Sequence, residues 1–265
     1  MKKNKVVAIV QARMGSSRLP GKILLNLQNM PVIWHICERL SLSKEVDKVV
    51  VATSDKNQDD ILTKCLDKNE IDYFRGSEED VLDRFYKTAD FYKADYVVRI
   101  TADCPLIDPS LVSKAVLALK DDESLDYVGL ACGAGVFKDK INKYPDGLDT
   151  EVFTFKSLEK TWNEATSSLD RGESVTSYLW RNKLKFNIKT ISSKNDYGNL
   201  RWTLDTPEDY EFINHIYNEL YNSKPEFGMH DILELIKEKP HLVDINRSSI
   251  GQVKYGEYYD RNNNS

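Results

Sequence analysis

The chain has 265 residues, which is enough to bury a sizeable core as one large α/β domain or as one domain with an appended lobe. Hydrophobic residues make up 41% and charged residues 30% of the sequence, a balance that excludes an intrinsically disordered chain. The formal net charge of −5 argues against broad electrostatic attraction to nucleic acid or to an anionic membrane, so any phosphate ligand must be held by local cations.

The first half alternates short apolar runs with amphipathic stretches, a pattern typical of βαβ units that build a parallel sheet. A capping box at Ser77 and Asp80 precedes one predicted helix, and Asp108 followed by Pro109 begins the next. The predicted strands cover residues 5–12, 48–53, 71–75, 96–101 and 126–131.

This alternation stops after Cys132. The following stretch, residues 133–151, is rich in Gly, Lys and Asp and carries turn signals, so we predict an insertion or hairpin at about 132–155. The tail at 246–265 is polar and lacks periodicity, which predicts an arm or a poorly ordered end. Residues 1–245 are then expected to form a single domain.

Two further strands and a helix are predicted between the insertion and the tail. Apolar and polar residues alternate with a period of two at 184–189 and at 200–204, which predicts two half-buried strands. Thr206, Pro207 and Asp209 form a helix-start signal directly after the second of these strands.

The cysteines and the N-terminus predict a reduced, cytoplasmic protein. The four cysteines are widely spaced, with no CxxC pair and no histidine at zinc-ligand spacing. The apolar run at residues 6–10 is too short for a signal peptide or a membrane span, so no membrane partner is expected.

The first predicted strand runs directly into the loop QARMGSSRLPGK at residues 11–22. This loop carries Arg13, Arg18 and Lys22 at the carboxyl end of a parallel strand, where open α/β sheets bind ligands. Its spacing fits neither a Walker A loop nor a dinucleotide fingerprint, because the glycines are misplaced and Ile23 stands at the Ser/Thr position of a Walker A loop. Three cations among small residues favour a triphosphate-binding loop over a solvated basic turn.

The motif Arg-x-Thr-x-Asp occurs twice, in RITAD at residues 99–103 and in RWTLD at 201–205. Side chains alternate along a strand, so each triplet is expected to project to one face and to deliver an aspartate at its end. Carboxylates for Mg²⁺ and cations for a triphosphate are what nucleotidyl transfer requires. We therefore predict that Asp103 and Asp205 hold Mg²⁺ rather than serve as turn and cap residues, and that Arg201 faces the same cleft and pairs with an anionic acceptor.

Five segments carry a family resemblance: QARMGSSRLPGK, GSEEDVLDRF, RITADCPLIDP, YPDGLDTEVF and RWTLDTPEDYEFI, which together span residues 11–213. In this order they resemble the cytidylyltransferase family of CMP-Kdo and CMP-sialic acid synthetases, most closely its spore-coat polysaccharide branch. The resemblance implies an α/β, GT-A-like nucleotidyltransferase fold with a mostly parallel central sheet flanked by helices. It also implies CTP and Mg²⁺ as partners and homodimers formed through the inserted region.

The resemblance also assigns roles to individual residues. The predicted catalytic residues are Arg13, Arg18, Lys22, Asp103 and Asp205, of which the two aspartates are the metal ligands. The predicted nucleotide-binding residues are Gln11, Ala12, Arg13, Gly15, Ser16, Arg18, Lys22, Gly76, Ser77, Asp80, Val81, Arg99 and Thr101. The predicted acceptor-binding residues are Asp146, Asp149, Glu151 and Arg201. One departure is Ser174, which stands where the family often has a histidine.

The predicted activity is transfer of CMP from CTP to an acidic sugar or a phosphorylated small molecule, with release of pyrophosphate, for surface polysaccharide or glycoconjugate biosynthesis. A uridylyl- or guanylyltransferase is an alternative, because the phosphate loop does not identify the base. A GT-A glycosyltransferase is another, although such enzymes usually bind their metal through an Asp-x-Asp motif that this chain lacks. A catalytically silent nucleotide-binding protein is the alternative from a different class.

Overall fold

The computed structural model describes residues 4–132, 141–172 and 174–250. The strands are β1 Val6–Gln11, β2 Asn26–Leu27, β3 Met30–Pro31, β4 Lys48–Ser54, β5 Tyr73–Gly76, β6 Tyr96–Thr101, β7 Tyr127–Leu130, β8 Glu151–Thr154 and β9 Ile188–Ile191. The α-helices are α1 Val32–Ser41, α2 Asp60–Lys68, α3 Val81–Phe91, α4 Pro109–Lys120, α5 Phe155–Glu164, α6 Ser168–Arg171, α7 Ser177–Arg181, α8 Pro207–Leu220 and α9 Met229–Glu238.

Seven of these strands form one central sheet in the order β5-β4-β1-β6-β8-β7-β9. All neighbouring pairs are parallel except the two made by β8, which runs antiparallel to both β6 and β7. The remaining strands, β2 and β3, form a small antiparallel hairpin. The mostly parallel sheet flanked by helices that the sequence predicts is therefore confirmed.

Strand β1 lies in the interior of the sheet, between β4 and β6, and its side chains are apolar on both faces. Val6, Ala8 and Val10 pack into the core cluster under α1, α4 and α8, while Val7 and Ile9 pack against α3 and α5 on the other face. A continuous run of β-branched and small apolar residues is typical of a parallel strand covered on both sides. The carboxyl ends of β1 and β6 consequently open at the same edge of the sheet.

The predicted helix starts are confirmed at two of three places. The Asp108 carboxylate accepts hydrogen bonds from the backbone N–H groups of Ser110 and Leu111 at the start of α4. Thr206 and Asp209 form a reciprocal capping box at the start of α8. The cap predicted at Ser77 is wrong by three residues, because the chain makes a further turn and Asp80 caps α3 instead.

Three predictions in the second half are corrected. Leu184 is fully exposed in a turn, and the strand predicted at 184–189 begins only at Ile188. The segment 200–204 is not a strand and joins its neighbour through a single bridge, between Asp146 and Arg201; the side chains of Arg201 and Thr203 are buried rather than facing solvent. Strand β8 lies within the predicted insertion at 132–155, so that this part belongs to the main sheet.

Parts of two predictions lie outside the described residues: residues 133–140 of the insertion and 251–265 of the tail. The four cysteines are free thiols. Over the residues that the structure describes, no helix is both long and apolar enough to cross a membrane.

Candidate active site

A cleft of about 670 Å³ opens at the carboxyl ends of β1 and β6. Most of the residues that the sequence predicts for the site line this cleft: Gln11, Ala12, Arg13, Gly15, Ser16, Arg18, Lys22, Val81, Arg99, Thr101, Asp103, Asp146, Asp149, Glu151 and Asp205. Four predicted residues do not line it: Gly76, Ser77, Asp80 and Arg201. Ser174 is also at the cleft wall. The two distant Arg-x-Thr-x-Asp segments and the basic loop are thus brought together.

The basic loop is held at its start by a buried carboxylate that sequence reasoning missed. Asp59 has no solvent exposure; it accepts a hydrogen bond of 2.7 Å from the Met14 backbone N–H and another from the Ser54 hydroxyl. At the far end of the loop Gly21 adopts a φ of +71°, a left-handed conformation that suits glycine. The loop is therefore fixed at both ends, while Arg13 and Arg18 remain 39% and 49% exposed in the cleft.

Lys22 lies between Asp103, which follows β6, and Asp205, which precedes α8. Its ammonium group is 2.9 Å from Asp205 Oδ1 and 3.6 Å from Asp103 Oδ2, and Arg18 also reaches Asp205 at 3.0 Å. Burial alone would raise the pKa of Asp205, but Lys22, Arg18 and Arg201 outweigh it and hold this pKa below its usual value. The Leu204 N–H donates to the Asp103 carbonyl oxygen at 2.8 Å, so the two segments run side by side.

The carboxylate oxygens of Asp103 and Asp205 suit a hard cation that is also bound by phosphate oxygens. Mg²⁺ in nucleotide sites is usually bound by one or two carboxylates, with phosphate and water oxygens completing the shell. Within the described ranges no group of three or more His, Cys, Asp or Glu residues is arranged to hold a metal by itself. Asp103 and Asp205 therefore fit Mg²⁺ only as part of a nucleotide complex.

The position of Arg201 argues against the prediction that it faces the acceptor. Its side chain is 3% exposed and its guanidinium binds both oxygens of Asp209 at 2.9 Å, Asp205 at 3.0 Å and Asp146 at 3.3 Å. Burial would lower the pKa of Arg201, but these carboxylates raise it above its ordinary value. Four of the five N–H donors of the guanidinium are thus engaged by carboxylates, and Arg201 positions Asp205 from behind.

Glu151 organises the floor of the cleft rather than presenting an open carboxylate. Arg99 binds one of its oxygens, and the Tyr127 and Thr176 hydroxyls donate to the other at 2.7 Å and 2.6 Å. Gln11 accepts from Arg99 at 3.1 Å, which extends the network to β1. Tyr127 and Thr176 also line the cleft, as do Arg84 and Trp180. Sequence reasoning missed Tyr127, Thr176 and Trp180, because no spacing relates them before the chain folds.

The turn before β8 places two further carboxylates in the cleft. Burial, together with the charge of the neighbouring Asp146, raises the pKa of Asp149 to about 7. Burial also raises the pKa of Asp146, to about 6, despite its ion pair with Arg201. Gly147 makes this turn possible, since its φ is +104° and an added Cβ would lie 2.5 Å from the Thr203 nitrogen.

Comparisons with known proteins find a family model and relatives that match most of the chain. A family model described as cytidylyltransferase matches residues 7–239. An uncharacterized protein of Methanocaldococcus jannaschii is 35% identical over 258 residues, 96% of this chain and 98% of its own length. The spore coat polysaccharide biosynthesis protein SpsF of Bacillus subtilis is 32% identical over 244 residues, 89% of this chain and 96% of its own. The solved structure of a cytidylyltransferase from Leptospira borgpetersenii superposes with a TM-score of 0.81 at 33% identity, covering 91% of this chain and 97% of its own.

Proposed function

The chain belongs to the cytidylyltransferase family, and from this premise we propose that it transfers CMP from CTP to a hydroxyl group of a small sugar derivative and releases pyrophosphate. The observation that carries the proposal is the contact of Lys22 with both Asp103 and Asp205 in one cleft. The basic loop and two carboxylates meet there, which is the charge arrangement that nucleotidyl transfer requires.

The chain's own residues supply the binding and the charge neutralisation. Arg13 and Arg18 bind phosphate oxygens through their guanidinium forks, and Lys22 adds a point charge on the leaving side. The acceptor oxygen forms a bond to the α-phosphorus as the bond from that phosphorus to the α–β bridging oxygen breaks. The electron pair leaves with pyrophosphate, and the hydroxyl proton passes to water.

We propose Mg²⁺ as the cofactor, held by Asp103 and Asp205 together with phosphate oxygens of the nucleotide. When bound, the ion neutralises charge on the phosphate that is transferred. Arg201 supports this arrangement through its 3.0 Å contact with Asp205, which fixes the carboxylate orientation.

For the acceptor we propose a sugar acid or a phosphorylated small molecule that is destined for a surface polysaccharide or glycoconjugate. The similarity to SpsF, whose name places it in spore coat polysaccharide biosynthesis, supports the polysaccharide part of this proposal. The anionic character rests on the family resemblance alone, because Arg201 is committed to Asp205 and Asp209. We propose a cytoplasmic homodimer as the working form.

The test is pyrophosphate release from the purified protein with each of the four nucleoside triphosphates, Mg²⁺, and three acceptor panels: sugar acids, phosphorylated sugars and neutral sugars. We expect release with CTP and an anionic acceptor. Release with UTP or GTP instead would identify a different nucleotidyltransferase, and a neutral sugar as best acceptor would refute the acceptor class.

Matched variants locate the activity in the cleft. Asp103→Asn removes a charge at the proposed metal position and should abolish Mg²⁺-dependent release, because an amide is a poor ligand for this ion. Asp122→Asn removes the same charge just after α4, outside the cleft, and should leave the rate unchanged. Equal rates in both variants would refute the role of Asp103.

A further inference from the structure

Asn246 connects the C-terminal end of the described chain to the back of the cleft. The sequence predicts that a polar tail begins at this residue, yet Asn246 is only 2% exposed. Its side-chain amide donates one hydrogen bond to the Arg201 carbonyl oxygen at 2.9 Å and another to Asp209 Oδ1 at 3.0 Å. Both N–H groups of the amide are therefore used, and both reach residues that contact Asp205.

Asp209 is a fully buried carboxylate that holds Asp205 at two points. Its Oδ2 accepts hydrogen bonds of 3.0 Å from the backbone N–H groups of Asp205 and Thr206. Each of its oxygens also accepts a hydrogen bond of 2.9 Å from the Arg201 guanidinium, which in turn donates to Asp205 Oδ2 at 3.0 Å. Asp209 thus fixes the Asp205 backbone directly and the Asp205 carboxylate through Arg201.

The two carboxylate oxygens of Asp205 have different partners. Oδ2 accepts from Arg201, whereas Oδ1 contacts Lys22 at 2.9 Å and Arg18 at 3.0 Å on the side of the basic loop. The contact at Oδ2 therefore sets the direction in which Oδ1 faces the cleft. A carboxylate held in one orientation binds an ion more tightly than one that is free to rotate, because less conformational freedom is lost on binding.

Asn246 restricts the movement of both Asp209 and Arg201. It supplies the second hydrogen bond to Asp209 Oδ1, whose other donor is Arg201 Nε, and it holds the Arg201 backbone at its carbonyl oxygen. Bridging two acceptors in this way requires two N–H groups on one terminal atom, which a primary amide provides. A side chain without these donors would leave two buried acceptors short of a hydrogen bond and free to shift.

A second buried polar residue of the same segment has a different contact. Ser249 is 3% exposed, and its hydroxyl oxygen lies 3.3 Å from that of Thr206, which caps α8. Ser249 therefore helps to dock the segment on the helix, whereas Asn246 reaches the ion pairs behind the cleft. Asn246 also lies beyond residues 7–239, so the match to the family model assigns it no role.

We propose that Asn246 is a positioning residue: acting through Asp209 and Arg201, it fixes the orientation of a carboxylate that binds Mg²⁺ together with the nucleotide. That carboxylate is Asp205, so this inference rests on the proposed function and the proposed cofactor of the cleft. Asn246 itself touches neither the ion nor the substrates. Its loss therefore weakens the part of nucleotide binding that depends on Mg²⁺ and spares the part that does not.

Calorimetry of CTP binding, in Mg²⁺ and in EDTA, tests this role in the wild type, in Asn246→Leu and in the matched control Ser249→Ala. Leucine keeps the branched shape of the asparagine side chain but has no donor. We expect Asn246→Leu to weaken CTP binding in Mg²⁺ by about three- to tenfold, less than the loss for residues that bond a metal ligand directly, and to leave binding in EDTA unchanged. Ser249→Ala should match the wild type in both buffers. Asn246→Ala should show the same metal-dependent loss, and it decides the test if the leucine variant does not fold.

A double-mutant cycle separates positioning from a general loss of stability. In an Asp205→Asn background the metal ligand is already lost, so adding Asn246→Leu should change the CTP affinity in Mg²⁺ no further. Equal affinities of Asn246→Leu and wild type in Mg²⁺ would overturn the proposal, as would an equal loss in EDTA or an additive loss in the Asp205→Asn background. A wild type that binds CTP equally well in both buffers would refute the proposed cofactor and this inference with it, and one that does not bind CTP would refute the proposed function.

Discussion

At the scale of single residues, Arg201 shows how a buried cation can support a site that it does not line. Its guanidinium forms ion pairs with Asp146, Asp205 and Asp209, and only 3% of its side chain is exposed. Removing one member of a buried charge network leaves its partners uncompensated. We therefore expect Arg201→Ala to lower the free energy of unfolding by about 3 to 5 kcal/mol.

Urea unfolding followed by circular dichroism measures this loss, with Lys189→Ala as the control. Lys189 is exposed on β9, so its removal should change the unfolding free energy by less than about 0.5 kcal/mol. An Arg201→Ala variant that keeps its stability but requires far more acceptor for half-maximal rate would restore the acceptor role that its burial argues against.

At the scale of elements, the contact between α1 and the β2–β3 hairpin depends on a neutral histidine. His35 is 1% exposed and its Nε2–H donates to the Leu27 carbonyl oxygen at 2.7 Å. The rings of Trp34, Tyr217 and Tyr221 pack edge-on around it. Burial lowers the pKa of His35 to about 4, since the ring would have to be protonated away from water.

The free energy of unfolding depends on pH because the folded and unfolded states bind a proton at His35 with different pKa values. The unfolded chain protonates His35 near its ordinary pKa of 6.5, whereas the folded protein resists protonation until about pH 4. The stabilisation is complete above pH 6.5 and is lost as the pH falls toward 4, by roughly 3 kcal/mol. His35→Gln keeps a donor for Leu27 and should remove this part of the acid-induced loss.

Denaturant unfolding at pH 7.0 and pH 4.5 measures the effect as a difference between wild type and variant. The exposed His215 on α8 provides the control, because His215→Gln should leave the pH dependence unchanged. Identical pH dependence in His35→Gln and wild type would show that the buried ring does not titrate as its surroundings indicate.

At the scale of the whole molecule, the cleft takes residues from strands on both sides of β6, so a bound nucleotide should stabilise the entire fold. A ligand that binds only the folded state adds about 2.7 kcal/mol to the free energy of unfolding when its concentration is a hundred times its dissociation constant. We expect CTP with Mg²⁺ to raise the melting temperature and chelation by EDTA to remove part of that rise. A rise that is insensitive to EDTA would refute metal-assisted binding.

The sequence anticipated the parts of the molecule that depend on local pattern. Apolar runs located β1 and β4 to β7, and the rule that parallel strands open at one edge brought Asp103 near the basic loop. The four-residue strand β8 was missed because its pairing partners are distant in sequence and its run is too short to show a period. Alternation predicted that Arg201 faces the cleft, but a period of two cannot distinguish a buried ion pair from a cleft wall.

The reversed direction of β8 separates the proposed acceptor-binding residues from the proposed nucleotide-binding residues. The chain leaves β1 and β6 at the cleft but enters β8 there, so the segment 146–150 reaches the cleft before its strand rather than after it. Under the proposed roles, exchange of this segment between relatives changes the acceptor contacts while the nucleotide contacts are inherited intact. Any grafted segment must keep a glycine at position 147, where the backbone of Thr203 leaves no space for a side chain.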